Sequence, residues 1–218
     1  MTHRLGRRVD SFAHSLGCAL LFEAMADAPD AAVRRAVLLG PAARRGAGRR
    51  IASMRPDTEF LHVVARANDI FDEACHRLIG DRGDASDPPL GFSGAGGAFE
   101  NWLDIQIDHD ATRAWLAARG LGPPARARMV CHRLFYEDDA AMALYRDVFH
   151  HAAPSCFAKL RADGAPLQIA RRWSRIGEVP RLGSAFFQKL LGGCFRRGHE
   201  AGAHFESSGP EYDSMQSI

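Results

Sequence analysis

The chain has 218 residues, 46% of them apolar and 25% charged, with 28 basic side chains against 26 acidic ones. This is enough material for one domain with a core, and it excludes a wholly disordered chain. The near-cancelling charge gives no footing for a nucleic-acid or membrane partner.

The cysteines (Cys18, Cys75, Cys131, Cys156 and Cys194) are odd in number and never form a C-x-x-C pair. They read as reduced thiols, not as a disulfide framework or a zinc site. No apolar run approaches the ~20 residues that span a bilayer. Met1-Thr2-His3-Arg4 lacks the layout of a signal peptide. A cytoplasmic protein with neither metal nor cofactor is expected.

In chain order, Arg8 to Phe12 is a strand candidate that runs through Ala13-His14-Ser15-Leu16-Gly17 into a helix-forming stretch, Cys18 to Ala26. Ala36 to Leu39, ended by Gly40-Pro41, reads as a buried parallel strand. Arg44 to Arg50 reads as a basic connection containing glycine. Phe60 to Ala65 is a further strand candidate. The helix after it carries Phe71, Ala74, Cys75, Leu78 and Ile79 on one face. Gly80 to Gly97 is dense in Gly, Pro, Asp and Ser and reads as a loop. Asp110 to Arg119 is predicted helical, with Gly120 as its stop. Arg128 to Cys131 is the last strand candidate, and Ala141, Leu144, Tyr145, Val148 and Phe149 make an amphipathic helix. From Pro154 onward the periodicity weakens, and the final twenty or so residues are expected to fray. Alternating short strands and helices predict the α/β class, with a short, mostly parallel sheet flanked by helices.

Ser15 stands between an apolar strand and an apolar helix, in the pattern A-H-S-L-G. A serine on such a corner exposes its hydroxyl, and the helix turns its positive end toward a developing oxyanion. Ala13 and Gly17 are the small residues that let the corner close. The alternative is a serine that merely caps the helix. In this arrangement an acid and then a histidine follow the serine along the chain, each after a later strand. Asp69 comes just after the Phe60 to Ala65 strand and is the candidate acid; Asp72 reads as a solvated charge in the helix that follows. His132 comes after Met129-Val130-Cys131 and is the candidate histidine. His109 is its rival, disfavoured because no convincing strand precedes it. His150 and His151 end a helix, where basic groups offset its dipole. His109, His132, His150 and His151 do not share metal-ligand spacing, and no H-E-x-x-H motif occurs.

The segments V-D-S-F-A-H-S-L-G-C, V-V-A-R-A-N-D-I-F-D, N-W-L-D-I-Q-I-D-H-D and C-H-R-L-F-Y together resemble a group of uncharacterised bacterial α/β-hydrolase proteins, over about residues 8 to 150. The resemblance implies a partial α/β-hydrolase fold in residues 1–155, with an insertion at about 80–125 and a helical extension and tail in 156–218. It also implies a serine hydrolase acting on a small acyl compound through Ser15, Asp69 and His132, with the Leu16 N–H as an oxyanion donor. The group's histidine motif is similar to S-H-W-x-x-Y, whereas this chain has Cys131 and Arg133 around His132. Only fourteen residues precede Ser15, where members of the fold place several strands and a second oxyanion donor. The strand near residues 8–13 is therefore expected to be an open edge, through which the chain could associate with itself or another chain. An inactive interaction protein is the competing expectation.

Overall fold

The computed structural model of the chain describes residues 8–29, 32–78, 87–96, 99–122, 131–151 and 155–167. All belong to the first of two units, Met1–Ser174. β1 (Val9–His14) meets α1 (Leu16–Asp27) at Ser15. Then come β2 (Val33–Leu39), α2 (Arg45–Met54) and β3 (Glu59–Val64). A single 3-10 turn (Arg66–Asn68) leads directly into α3 (Asp69–Leu78). The order continues with α4 (Leu90–Ser93), β4 (Trp102–Gln106), α5 (Asp110–Ala118), α6 (Leu134–Glu137), α7 (Asp139–His150) and α8 (Cys156–Ala162).

The four strands are all parallel and lie in the order β1-β2-β3-β4. Their ends are flush: His14 pairs with Leu39, Leu39 with Val63, and Val63 with Ile105. The turns that follow β1, β2, β3 and β4 therefore gather along one edge, the usual place for a site in a parallel sheet.

Both faces of the sheet are covered, and the two-residue strand period decides which residue goes where. Val37, Leu39, Leu61, Val63, Leu103 and Ile105 face one core, closed by side chains of α5, α6, α7 and α8. Ala36, Leu38, Phe60 and Trp102 face the other, closed by Cys18, Phe22 and Met25 of α1, Ile51 and Ala52 of α2, and Leu90 of α4. Each large side chain buried this way contributes roughly 1.5–3 kcal/mol. The α/β class and the flanked parallel sheet expected from the sequence are present.

Several local expectations need correcting. Arg44 to Arg50 is no connection: most of it is the first half of α2, whose Ile51 and Ala52 supply a buried face that outweighs the low propensity of its glycines. The fourth strand is Trp102–Gln106, inside the stretch 80–125 expected to be an insertion. Of the strand candidate Arg128 to Cys131, residues 128–130 lie outside the described residues, and Cys131 is not in a strand. The helical extension expected from residue 156 opens with α8, whose Phe157 and Leu160 are buried in the core with β2, β3 and β4. The segment 80–86 and the tail beyond 167 lie outside the described residues.

β2 begins earlier than its apolar run suggests, because two arginines inside it find partners. Arg34 pairs with Asp10 of β1. Arg35 is 1% exposed and pairs through Nε with Glu59 of β3 at 2.8 Å. Its Nη1 donates to the carbonyls of Val148 (2.9 Å) and His151 (2.7 Å) at the end of α7. Glu59 accepts the N–H groups of Cys156 (3.2 Å) and Phe157 (3.0 Å) at the start of α8. One ion pair thus satisfies the negative end of one helix and the positive end of the next.

Arg35 is buried and Glu59 partly exposed, so truncating one member of the pair is expected to cost up to about 3 kcal/mol, the lower end for a fully buried pair. Arg35→Ala is expected to lower the denaturant midpoint accordingly. Arg35→Ala combined with Glu59→Ala should lose less than the sum of the two single losses, measured by urea unfolding.

Candidate functional site

Ser15 has φ 55° and ψ −122°, and among the described residues it is the only non-glycine with positive φ. Such a conformation costs about 1–3 kcal/mol and persists only where the surroundings impose it. Here the surroundings are backbone. The Ser15 N–H donates to the Leu39 carbonyl at 2.9 Å, and the Ser15 carbonyl accepts from Cys18 (3.0 Å) and Ala42 (3.1 Å). The hydroxyl makes no capping hydrogen bond, so the reading of Ser15 as a simple helix cap fails. Leu16 opens α1, and its N–H has no carbonyl within the helix to bond. The crowding expected at Gly17 is not found, since a Cβ there would meet nothing within 4 Å. Among the described residues β1 is the outermost strand on its side of the sheet, and a groove lined by Ala13, His14, Gly17 and Leu20 opens there.

His132 lies beside this corner. Its ring packs between His14, at 4.3 Å between centroids, and Phe71, at 4.7 Å. Its backbone is anchored by the preceding residue, whose N–H donates to the Ala67 carbonyl at 2.9 Å. Ring atom Nδ1 lies 2.6 Å from Asn68 Oδ1. No hydrogen bond of the other nitrogen, Nε2, is found among the described residues.

The partner of Nδ1 corrects the sequence reading. Asp69 was the candidate for holding this ring, and the side chain at Nδ1 is its neighbour, Asn68. The 3-10 turn after β3 places Asn68 under the histidine, whereas Asp69 opens α3 and is buried there. Asp72 is not a solvated charge either. It is 4% exposed and accepts from Asn68 Nδ2 at 2.8 Å. Both residues occupy space that glycines leave free: a Cβ on Gly40 would stand 2.9 Å from Asn68 Nδ2, and one on Gly91 would stand 2.3 Å from Asp72 Oδ2. Asn68 is the residue that sequence reasoning missed. Its signal was its place at the end of the strand-to-helix turn, but a neutral amide beside two carboxylates drew no attention.

His109 does follow a strand, β4, contrary to expectation. Its Nδ1 nevertheless accepts the Ala111 N–H at 3.1 Å and so caps α5. Asp108 braces the same region, accepting from the Ala67 N–H at 3.2 Å. Among the described residues no group of three His, Cys, Asp or Glu side chains is placed to hold a metal ion. No described helix is long and apolar enough to cross a membrane. Burial pushes the Cys18 thiol up to about 12 and the Cys156 thiol to about 11, so neither is a nucleophile near neutral pH.

Burial, and to a lesser degree the neighbouring His14, brings His132 down to about 4. His14 is lowered too, mainly by burial, and its Nε2 is buried without a partner. Both imidazoles are therefore neutral near pH 7, as a proton acceptor must be. Because the folded value lies below the unfolded one of about 6.5, the unfolded chain holds the extra proton between pH 6.5 and 4. Stability is lost as pH falls through that window and is unaffected by this group above it. In a proton NMR titration, the His132 ring resonances are expected to move with a midpoint near 4. A midpoint near 6.5 would contradict the packing described.

Comparisons with protein-family models, with curated proteins and with solved structures found no match to this chain.

Proposed function

We propose that the protein is a serine hydrolase of α/β-hydrolase type that cleaves a small acyl ester, with Ser15 as nucleophile and His132 as general base. The observation that carries this reading is the backbone of Ser15, held at φ 55° on a strand-to-helix corner with a hydroxyl that does not cap the helix. A structural serine gains nothing from that strain, whereas a nucleophile gains exposure and the N-terminus of a helix beneath it.

In this reading His132 Nε2 takes the Ser15 proton as Oγ attacks the acyl carbon. The Leu16 N–H faces the oxyanion that forms. The proton then passes to the departing alcohol, which leaves an acyl group on Ser15. Water then attacks that acyl carbon and gives a proton to His132; the bond from the acyl carbon to Oγ breaks, His132 returns the proton to Oγ, and the acid is released. Asn68 takes the place of the usual carboxylate, so the ring is oriented without a formal charge beside it. No metal or organic cofactor is required by these steps.

A second reading rests on a different observation. Among the described residues no strand pairs with the outer edge of β1, and beside it Phe12, Leu16 and Leu20 are 46%, 45% and 73% exposed. An apolar open edge invites another strand. If interaction is the role, the chain is expected to self-associate in sedimentation experiments, and Phe12→Lys should shift it toward the monomer.

The hydrolase reading is tested by a fluorophosphonate probe. Ser15 is expected to be labelled at neutral pH, Ser15→Ala to abolish labelling, and His132→Ala to slow it by ~10²–10⁴. Folded protein in which Ser15 never labels would overturn the reading.

A further inference from the structure

The amide of Asn68 has two faces, and which one meets His132 decides whether the histidine can act as a base. With Oδ1 toward the ring, Nδ1 must carry the hydrogen, and Nε2 is left with a lone pair. With Nδ2 toward the ring, Nδ1 must accept, Nε2 carries the hydrogen, and no base remains. An asparagine by itself does not choose between them. In a serine protease, replacing the buried aspartate of the triad by asparagine costs ~10⁴ in rate through the wrong tautomer.

Here a carboxylate makes the choice. Asp72 Oδ1 lies 2.8 Å from Asn68 Nδ2, one helical turn further along α3. With Asp72 ionised its carboxylate only accepts, and the amide presents Nδ2 to it and Oδ1 to His132. Asn68 is 1% exposed and Asp72 4%, so water does not compete for either side chain. A flip would set two acceptors face to face in a buried site. Gly40 and Gly91 leave the space that the pair occupies: a Cβ on either would stand within 3 Å of Asn68 Nδ2 or of Asp72 Oδ2.

We propose that Asp72 is a positioning residue, acting through the Asn68 amide to hold His132 with hydrogen on Nδ1 and a free lone pair on Nε2. The proposal deepens the hydrolase reading and rests on it for its catalytic meaning, although the tautomer exists whether or not the chain is an enzyme. The effect of Asp72 reaches His132 through two side-chain hydrogen bonds. The device would let a neutral residue serve where burial makes a second charge beside the histidine costly.

The test has two readouts. Nitrogen-15 NMR of the imidazoles, with His132 assigned from His132→Gln, gives the tautomer, and fluorophosphonate labelling of Ser15 gives the reactivity. The unaltered chain is expected to show hydrogen on Nδ1. Asp72→Ala should shift His132 toward hydrogen on Nε2 and slow labelling by at least about tenfold, the lower end for removing a residue that supports a catalytic group. Asp72→Asn, which can still accept from Asn68 Nδ2, should retain more of both than Asp72→Ala. Finding the Nε2 hydrogen in the unaltered chain overturns the proposal, and this measurement needs no variant to fold. An unchanged tautomer in folded Asp72→Ala overturns it as well. A tautomer that shifts as expected in a chain whose Ser15 never labels would uphold the role of Asp72 while removing the hydrolase reading.

Discussion

The end of β2 is where the candidate site is made. The Leu39 carbonyl takes the Ser15 N–H, and Ala42, just past the strand, donates to the Ser15 carbonyl. These bonds hold the corner in a conformation it would otherwise abandon. The next residue, Gly40, adopts φ 45° and donates its N–H to Val63 of β3. With no side chain, it lets Phe135 and Asn68 approach from opposite elements: a Cβ there would stand 2.6 Å from the Phe135 ring. Two consecutive residues, Leu39 and Gly40, thus hold the bend at Ser15 and leave room for the amide beside His132.

Around that point the imidazole is met by a neutral amide, and the buried carboxylate of Asp72 is held one side chain away from it. His132 is wedged between His14 and Phe71 and stays neutral because burial penalises its cation. Its ring is steered by an amide, and the nearest link to an acid runs through that amide to Asp72. Such a chain fixes direction well and stabilises an imidazolium less well than a carboxylate in contact would. Low dielectric strengthens each of these hydrogen bonds, and the same condition makes any break in the chain expensive. The opposite edge of the sheet follows another rule: a full ion pair, Arg35–Glu59, is buried there and finds helix ends to satisfy on both sides. That contact ties α7 and α8 to the strands at the end remote from Ser15, and so seats the layer that includes the helices after His132.

The amino-acid order by itself determined the α/β class, the strand before Ser15, the helix after it, and the strand that ends near Asn68. These are set by local patterning, since a short apolar run beside a turn residue, or an apolar stripe at helical spacing, needs no knowledge of the rest of the chain. It also marked Ser15 and His132, because a small-x-Ser-x-Gly corner and a histidine after an apolar run are local patterns. Two elements escaped. The helix of Arg45–Met54 looked like a basic loop because its stabilising contacts, Leu90 and Trp102, lie far along the chain. The strand of Trp102–Gln106 was hidden because Asp104 breaks its apolar run, and only the folded sheet supplies His62 as a partner, at 2.7 Å.

Which side chain meets His132 could be decided only in three dimensions. Asn68 and Asp69 are neighbours in sequence, and no local pattern says which of two adjacent residues will face a ring that is 64 positions away. The 3-10 turn settles it by rotating Asn68 under the imidazole and sending Asp69 into the first turn of α3. Composition and periodicity specify which segments bury themselves and how. The direction of an individual side chain at the end of a strand depends on the turn's dihedral angles and on what packs against it, and those are properties of the folded chain alone.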